Sequence, residues 1–366
     1  MTTETLFAPA FGNRPSHLVG REGLLSQIDQ GLATRPGSRD RALVMLGQRG
    51  MGKTVLLWEV ADRAREQGYV VATPTVVTDA MLERVVEKIQ DDGERYAHAD
   101  APTVSGGSVS ALGFSVGLEF SREVRETKSA SYRLTQLVRR LSGMGHGTII
   151  LVDEIQANSP QVRDLVVAYQ EIVGEGLDVA LVMAGLPRSV SATLNDRVLT
   201  FLNRATRIEL EPLRIGDVEA FFAHAFDEMG MAVSPDVRRT AAQATEGSPY
   251  LMQLVGHYLS VMADSDGMVG EDALGEALRM AQDDFERDVC QTTLAALSEK
   301  DVEFLTAMSA DDGPSKMSEL AGRMGVTPDY AQKYRKRLLD AGVIEVASRG
   351  HVDFAVPYLR SYLRRG

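Results

Sequence analysis

Short apolar runs alternate with longer amphipathic stretches between about residue 40 and residue 212. The runs predict buried strands and the stretches predict helices, so the alternation is typical of a parallel α/β sheet. The predicted strands are 42–46, 69–75, 148–153, 179–184 and 207–210. The predicted helices between them are 53–66, 78–90, 131–141, 160–173 and 190–195.

Residues 104–120 interrupt this order with a segment rich in glycine and serine. Its apolar residues alternate with other residues (Val109, Leu112, Phe114, Val116, Leu118 and Phe120). Alternation of this kind predicts an inserted β-hairpin, and an unstructured loop is the alternative. The role of the insertion does not follow from its composition.

After residue 212 the strand pattern stops, and four stretches follow with helical periodicity, at 216–228, 234–245, 249–263 and 271–288. Several of them begin with Ser, Asp or Pro, which favour helix starts, so we expect a compact helical domain. Three further helices (299–309, 316–324 and 329–341) precede two short strands (343–347 and 352–356). Three helices and a glycine-tipped hairpin are typical of a winged helix-turn-helix.

The chain has 366 residues, more than one hydrophobic core normally holds, so two or three domains are expected. We predict an N-terminal tail (1–15), an α/β core (16–212), a helical domain (213–290) and a winged helix (291–366). The net charge of −12 argues against a nucleic-acid-coating protein. From residue 291 onward, however, 11 basic residues face 10 acidic ones, so the last domain differs electrostatically.

Cys290 is the only cysteine, which excludes an internal disulfide framework and a multi-cysteine metal site. The first 20 residues do not have the pattern of a signal peptide. No apolar run approaches the length of a membrane helix. A cytoplasmic protein with no membrane partner is therefore the expectation.

One motif has a direct chemical meaning: Gly47-Gln48-Arg49-Gly50-Met51-Gly52-Lys53-Thr54 fits the phosphate-loop pattern GxxxxGK[ST], between a predicted strand and a predicted helix. Glycines let backbone N–H groups converge on phosphates, and the helix N-terminus adds its dipole. Lys53 is placed to reach the β- and γ-phosphates, and the Thr54 hydroxyl to join an Mg²⁺ shell. A glycine-rich turn with a solvated lysine is the alternative.

A second motif, Asp153-Glu154, follows the four apolar residues 149–152. A buried strand of this kind delivers Asp153 to a metal ion, and Glu154 then polarises the water that attacks the γ-phosphate. The alternative is a helix N-cap pair, since aspartate also favours that position. With a phosphate loop upstream, the prediction is Mg²⁺-dependent hydrolysis of ATP.

At this point the chain resembles the AAA+/STAND-type ATPases related to the origin-recognition group and the archaeal ATPases, and most of all the bacterial members that end in a winged helix. The resemblance covers roughly residues 16 to 366. It rests on the two motifs above and on residues 18–22 (LVGRE), 152–156 (VDEIQ), 184–187 (AGLP), 247–253 (GSPYLMQ) and 353–357 (DFAVP). It implies a nucleotide held between the core and a helical lid, with Val19, Gly20 and Pro249 near the base.

The resemblance also bears on turnover. Arg204 stands where related proteins carry an arginine before the last core strand, and there it would act as an arginine finger on a neighbour's nucleotide. That role implies nucleotide-dependent homo-oligomers, while a helix cap or surface ion pair is the competing interpretation. The strand tip 183–187 lacks a polar sensor, and Pro249-Tyr250 replaces a second sensor arginine. These departures favour a slow switch over a fast motor.

The predicted second helix of the helix-turn-helix carries Lys333, Arg335, Lys336 and Arg337. In such a fold this helix enters the major groove of DNA, and Arg349 at the wing tip would touch the adjacent backbone. Thr327 is the predicted N-cap, with Pro328 at the first helical position. A solvated charged face, or a surface that contacts protein, is the competing interpretation.

Together these features predict an ATP-dependent switch in which ATP and ADP favour different arrangements of the lid and the winged helix, and thereby change contact with double-stranded DNA. The alternative is a signalling or defence-type STAND ATPase, whose winged helix mediates protein contacts or autoinhibition.

Overall fold

A computed structural model of the chain describes residues 6–9, 14–15, 17–97, 114–116, 118–156, 159–194, 200–264 and 266–365. The described chain divides into two compact units. The sheet unit comprises residues 23–46 and 53–209. The helical unit comprises the described residues up to Glu22, the loop Gly47–Gly52 and the chain from Leu210 onward.

The sheet unit contains seven described strands: β1 (Ala42–Leu46), β2 (Val70–Val76), β3 (Phe114–Val116), β4 (Glu119–Phe120), β5 (Thr148–Ile155), β6 (Val179–Gly185) and β7 (Thr206–Glu209). Its helices are α1 (Glu22–Leu32), α2 (Lys53–Glu66), α3 (Met81–Ala97), α4 (Arg122–Thr127), α5 (Ala130–Gly143), α6 (Pro160–Gly174) and α7 (Pro187–Leu194). Short 3₁₀ helices lie at Arg39–Arg41 and Thr200–Arg204.

Five of these strands form one parallel sheet in the order β2-β5-β6-β1-β7. The central strand β6 is buried along its whole length, as a strand covered on both faces must be. β6 lies between β1, which precedes the phosphate loop, and β5, which contains Asp153. The predicted parallel α/β core with a phosphate loop is confirmed.

The helices α1 and α4 were not predicted, and two predicted helices differ from the structure at their ends. The helix predicted at 78–90 is Met81–Ala97, and the one predicted at 190–195 is Pro187–Leu194. Of the predicted insertion, Phe114 pairs with Phe120 and Val116 with Glu119 in a two-stranded ladder. Residues 104–113 and 117, with Val109 and Leu112, lie outside the described residues.

The helical unit begins with α8 (Ile215–Glu228), α9 (Pro235–Ala244), α10 (Pro249–Val261) and α11 (Glu271–Phe285). A π-helical turn, Glu286–Cys290, joins α11 to α12 (Gln291–Ala295) without a break in the helical chain. The predicted domain boundary between residues 290 and 291 falls inside this continuous segment. Phe7, from the predicted N-terminal tail, is buried against the rings of Phe221 and Phe222.

The remaining helices are α13 (Glu299–Ser309), α14 (Met317–Arg323), α15 (Pro328–Asp340) and α16 (Leu359–Arg365). The strands β8 (Ser315–Lys316), β9 (Ile344–Ser348) and β10 (His351–Phe354) form an antiparallel sheet in the order β8-β10-β9. As predicted, Thr327 caps α15 and accepts a hydrogen bond from the Tyr330 N–H, with Pro328 in the first turn. The three predicted helices and the hairpin are thus present, and the strand β8 and the C-terminal helix α16 were not predicted.

One apolar cluster extends through the helical unit, from α8–α11 to the C-terminal helices and strands. At its centre the ring of Phe285 lies 6.3 Å from that of Tyr358, whose hydroxyl donates to the Ala244 carbonyl. The Arg365 guanidinium also pairs with Glu286 in the π-helical turn. The lid helices and the C-terminal module therefore share one core.

No helix in the described ranges is both long enough and apolar enough to cross a membrane.

Candidate nucleotide-binding site

The phosphate loop runs from Gly47 directly into α2, which begins at Lys53. Gly50 and Gly52 have φ angles of 78° and 80°, in the left-handed region that glycine adopts at low cost. Lys53 and Thr54 occupy the first turn of α2, where backbone N–H groups have no partner inside the helix. The loop and the helix start therefore have the backbone geometry that the motif requires for binding phosphate.

Within the helical unit, the start of α10 contacts this loop. The Tyr250 N–H donates to the Gly50 carbonyl at 3.2 Å. A Cβ placed on Gly52 would lie 3.8 Å from the Cβ of Pro249, the proline of the predicted lid motif. Ser248 caps α10 by accepting a hydrogen bond from the Leu251 N–H. The lid motif thus contacts the phosphate loop, and the placement of Pro249 near the nucleotide base stays a prediction.

Tyr250 is the contact that sequence reasoning missed. Its hydroxyl donates to the Asp288 carboxylate at 2.7 Å, and its ring centroid lies 6.1 Å from that of Phe285. Burial, together with the hydrogen bond to Asp288, raises the pKa of this phenol. Tyr250 therefore joins the loop carbonyl to the π-helical turn, and its position next to Pro249 was the only signal in the sequence.

Replacing Gly50 with alanine tests this contact. A Cβ on Gly50 would lie 3.2 Å from the Tyr250 Cβ, in addition to the cost of about 1–2 kcal/mol for a left-handed non-glycine residue. Gly325→Ala is the matched control because Gly325 has a φ of 63° in the same unit and nothing within 4 Å of its Cβ position. In urea titrations we expect Gly50→Ala to lower the free energy of unfolding by about 1 kcal/mol more than the control. Equal decreases in the free energy of unfolding for the two variants would mean that the contact with Tyr250 does not contribute to stability.

In the sheet unit, Thr54 and Asp153 meet directly. The Thr54 hydroxyl donates to Asp153 Oδ2 at 2.5 Å, although the two residues are 99 positions apart. Asp153 is buried, and its Oδ1 accepts the Glu154 N–H at 2.8 Å. The two residues predicted to bind a metal ion are therefore adjacent. A hydroxyl and a carboxylate are the hard oxygen ligands that Mg²⁺ prefers, so these side chains fit the predicted ion.

Glu154 has an unusual backbone. Its φ is 53°, a left-handed conformation that is uncommon for a residue other than glycine, and its side chain is exposed. Non-glycine residues held in this region cost of order 1–3 kcal/mol and are concentrated at functional sites. The alternative of a helix N-cap pair is wrong, because both carboxylates lie within β5 and Ser159 caps the following helix α6.

The other predicted nucleotide contacts lie in the helical unit. Val19 packs against the apolar cluster of this unit. A Cβ on Gly20 would lie 3.3 Å from Leu213 Cδ2, so this segment is closely packed against the chain leading into α8. In the loop, Gly47 and Met51 are buried, Gln48 is half-buried and Arg49 is exposed. In the sheet unit, Arg204 is exposed at the end of the 3₁₀ helix before β7.

The five cations predicted to contact DNA have different environments. Lys333, Lys336 and Arg349 are exposed, and Arg335 is half-buried. Arg337 donates to Asp301 Oδ2 at 2.5 Å and to the Ser298 hydroxyl at 3.1 Å. Because Asp301 is almost fully buried, Arg337 neutralises a charge at the start of α13. Lys333, Lys336 and Arg349 are therefore the best candidates for an external contact.

Residues 17–182 match the family model described as the AAA ATPase domain. Residues 287–363 match a family described only as a domain of unknown function. A search of curated proteins gives no match to this chain.

Solved structures with the same fold cover almost the whole chain. The Walker-type ATPase of Pyrococcus abyssi is 15% identical with a TM-score of 0.71, and the match covers 98% of this chain and 100% of that one. The ORC2 protein of Aeropyrum pernix, in ADPNP–ADP complexes, is 16% identical with a TM-score of 0.65, over 98% and 95%. The ADP form of the same protein is 16% identical with a TM-score of 0.57, and the match covers 98% of this chain and 96% of that one. At these identities the likeness shows the fold, that of a P-loop NTPase core with a helical C-terminal region.

Proposed function

We propose that this chain is an Mg²⁺-dependent ATP-hydrolysing switch whose nucleotide state controls a C-terminal winged helix that contacts DNA. The match of residues 17–182 to the AAA ATPase domain model supports the ATPase part of the proposal. The observation that carries the ATPase part is the hydrogen bond between Thr54 and Asp153. In a glycine-rich turn that does not bind phosphate, a hydrogen bond between the threonine after the loop and a buried aspartate at the end of β5 would not be expected.

In the proposed reaction, the N–H groups of residues 47–54 and the Lys53 ammonium bind the phosphates of ATP. Thr54 and Asp153 would hold an Mg²⁺ ion, which would supply positive charge beside the phosphates. Glu154 orients the attacking water and accepts its proton. We keep Arg204 as a proposed arginine finger for a neighbouring copy, and expect slow turnover and a cytoplasmic protein.

The route from nucleotide to C-terminal module lies within the helical unit. The Gly50 carbonyl that accepts from Tyr250 belongs to the loop that would surround the phosphates. Tyr250 in turn contacts Phe285 and Asp288, and Phe285 contacts Tyr358 of the C-terminal module. A nucleotide that binds differently in two arrangements of this chain of contacts shifts their populations. We therefore expect the ATP-bound and ADP-bound forms to differ in how α15 is exposed for contact with DNA.

The DNA contact is tested by a salt series with labelled duplex DNA, with and without ATP. A lysine that contacts phosphate adds close to one unit to the slope of log K against log salt. We expect Lys336→Ala to reduce this slope by about one unit. Lys300→Ala is the matched control, since Lys300 is also exposed but pairs with Glu303 on α13.

Arg337→Ala separates a DNA contact from a structural one. Its loss leaves the buried Asp301 without a cationic partner, so we expect the free energy of unfolding to fall by roughly 1–3 kcal/mol. A loss of DNA affinity in Lys336→Ala with unchanged stability supports the DNA-directed switch. Absence of DNA binding in every nucleotide state would instead favour the STAND alternative, in which ATP-dependent assembly is the measurable event.

A further inference from the structure

We propose that His17, His224 and Glu228 form a binding site for a divalent transition-metal ion on the helical unit. The three side chains are exposed, and each offers one ligand atom, with all of these atoms within 4.8 Å of one another. They are separate from Thr54 and Asp153, the pair assigned above to Mg²⁺. The site differs from that pair both in its ligands and in the ion that it would select.

The helix register brings two of the ligands together. His224 and Glu228 are four residues apart on α8, so their side chains lie on the same face of the helix. His224 Nε2 is 3.6 Å from Glu228 Oε2. An exposed His–Glu pair of this spacing is common by itself, so the pair alone would carry no inference.

The third ligand comes from a different part of the chain. The ring centroid of His17 lies 5.4 Å from that of His224, with the two rings at 86°. Gly20 packs against Leu213 and Asp217, at the start of α8. Three residues of extended chain span about 10 Å, and the seven helical residues from Asp217 to His224 rise by a similar ~10.5 Å. The segment from His17 to Gly20 therefore runs along α8, and the docked backbone places His17 beside His224.

The ligand set selects the type of metal. Two imidazole nitrogens and one carboxylate oxygen suit Zn²⁺, Ni²⁺ or Cu²⁺, whereas Mg²⁺ prefers oxygen ligands alone. Zn²⁺ bound by two histidines and one glutamate takes a fourth ligand from solvent, at metal–ligand distances of about 2.0–2.2 Å. Ligand atoms in such a tetrahedron are roughly 3.4 Å apart. Exposed side chains reach this spacing by small rotamer changes.

Metal binding would join the segment that carries Val19 and Gly20 to the C-terminal end of α8. Val19 packs on the apolar cluster, and the Arg21 guanidinium donates to the Glu211 carbonyl at 2.8 Å. A bound ion would add a further attachment at His17. Fixing the segment with Val19 and Gly20 in this way would affect nucleotide affinity only if the proposed function is correct. The metal site itself does not depend on that function.

The test is a titration of the tag-free 366-residue chain with Zn²⁺ alone, in buffer containing Mg²⁺ and no nucleotide. We expect one Zn²⁺ per chain by calorimetry, and a Co²⁺ absorption spectrum of tetrahedral type. Loss of an outer-shell partner already weakens metal sites about 10–100-fold, so His17→Ala, His224→Ala and Glu228→Gln should each weaken binding at least ~10-fold. Asp227→Asn is the matched control, since Asp227 is exposed on the same helix but is not among the three ligands.

Unchanged affinity in these three variants, or no stoichiometric binding in the wild type, would overturn the proposal. A second readout isolates the contribution of His17. Zn²⁺ should slow amide hydrogen exchange in residues 17–21 of the wild type and leave it unchanged in His224→Ala. If exchange in this segment does not respond to Zn²⁺ in the wild type, His17 is not a ligand and the three-residue site is wrong. Because nucleotide is absent, failure here says nothing against the ATPase proposal.

Discussion

Glu154→Gln should bind ATP with wild-type affinity and hydrolyse it at least about 100-fold more slowly, because a positioned general base contributes roughly 10²–10⁴-fold. Glutamine has nearly the same shape as glutamate but cannot accept the proton of the attacking water. The bond between Thr54 and Asp153 does not involve Glu154, so the proposed metal ligands stay in place. Phosphate release in single-turnover experiments measures the loss, and a fluorescent ATP analogue measures binding.

The control for this variant is Glu171→Gln, which removes the same charge from an exposed position on α6. It should leave both turnover and binding unchanged. The left-handed backbone at residue 154 is no harder for glutamine than for glutamate, so stability should also be unchanged. If Glu154→Gln keeps its turnover, another group activates the water and the role assigned to Glu154 is wrong.

The parallel sheet and the phosphate loop were predictable because their signals are local. Each buried strand is an apolar run bounded by helical periodicity, and the loop motif lies between one such strand and one helix. Asp153 followed from the same logic, since it stands near the end of an apolar strand. Its approach to Thr54 depends on the order of the strands, which periodicity alone does not determine. The sequence supported it only through the phosphate loop upstream, which calls for a metal-binding carboxylate at the end of a nearby strand.

The contacts that sequence reasoning missed depend on tertiary packing. The position of Tyr250 next to Pro249 placed it in the lid motif, but the sequence does not indicate that its N–H contacts Gly50 or that its hydroxyl reaches Asp288. Likewise, in the sequence Arg337 is one of four cations within five residues, whereas in the structure it pairs with Asp301, 36 positions away. A charge run in a sequence cannot distinguish a cation that faces solvent from one that neutralises a buried carboxylate.

Lys53→Ala should lose tight ATP binding. Lys53 stands at the start of α2, where its ammonium is placed to bind the β- and γ-phosphates, and a hydrogen bond to a charged group contributes about 1.5–3 kcal/mol. Removing it should weaken ATP binding by roughly 10- to 150-fold. At an ATP concentration of about 100 Kd, ATP stabilises the wild type by ~2.7 kcal/mol. For a variant that binds 100-fold less tightly, this stabilisation falls to about 0.4 kcal/mol, so thermal unfolding with and without ATP measures the effect.

The control for Lys53→Ala is Lys128→Ala. Lys128 is exposed in the same unit, and its ammonium lies 5.5 Å from the centre of the Tyr132 ring, so the substitution removes the same charge away from the loop. It should keep the full stabilisation by ATP. Lys53→Ala and Glu154→Gln should then fail in different ways, the first in binding and the second in hydrolysis. If Lys53→Ala binds ATP as tightly as the wild type, the loop does not hold the phosphates, and the turnover assigned to Glu154 would need another site.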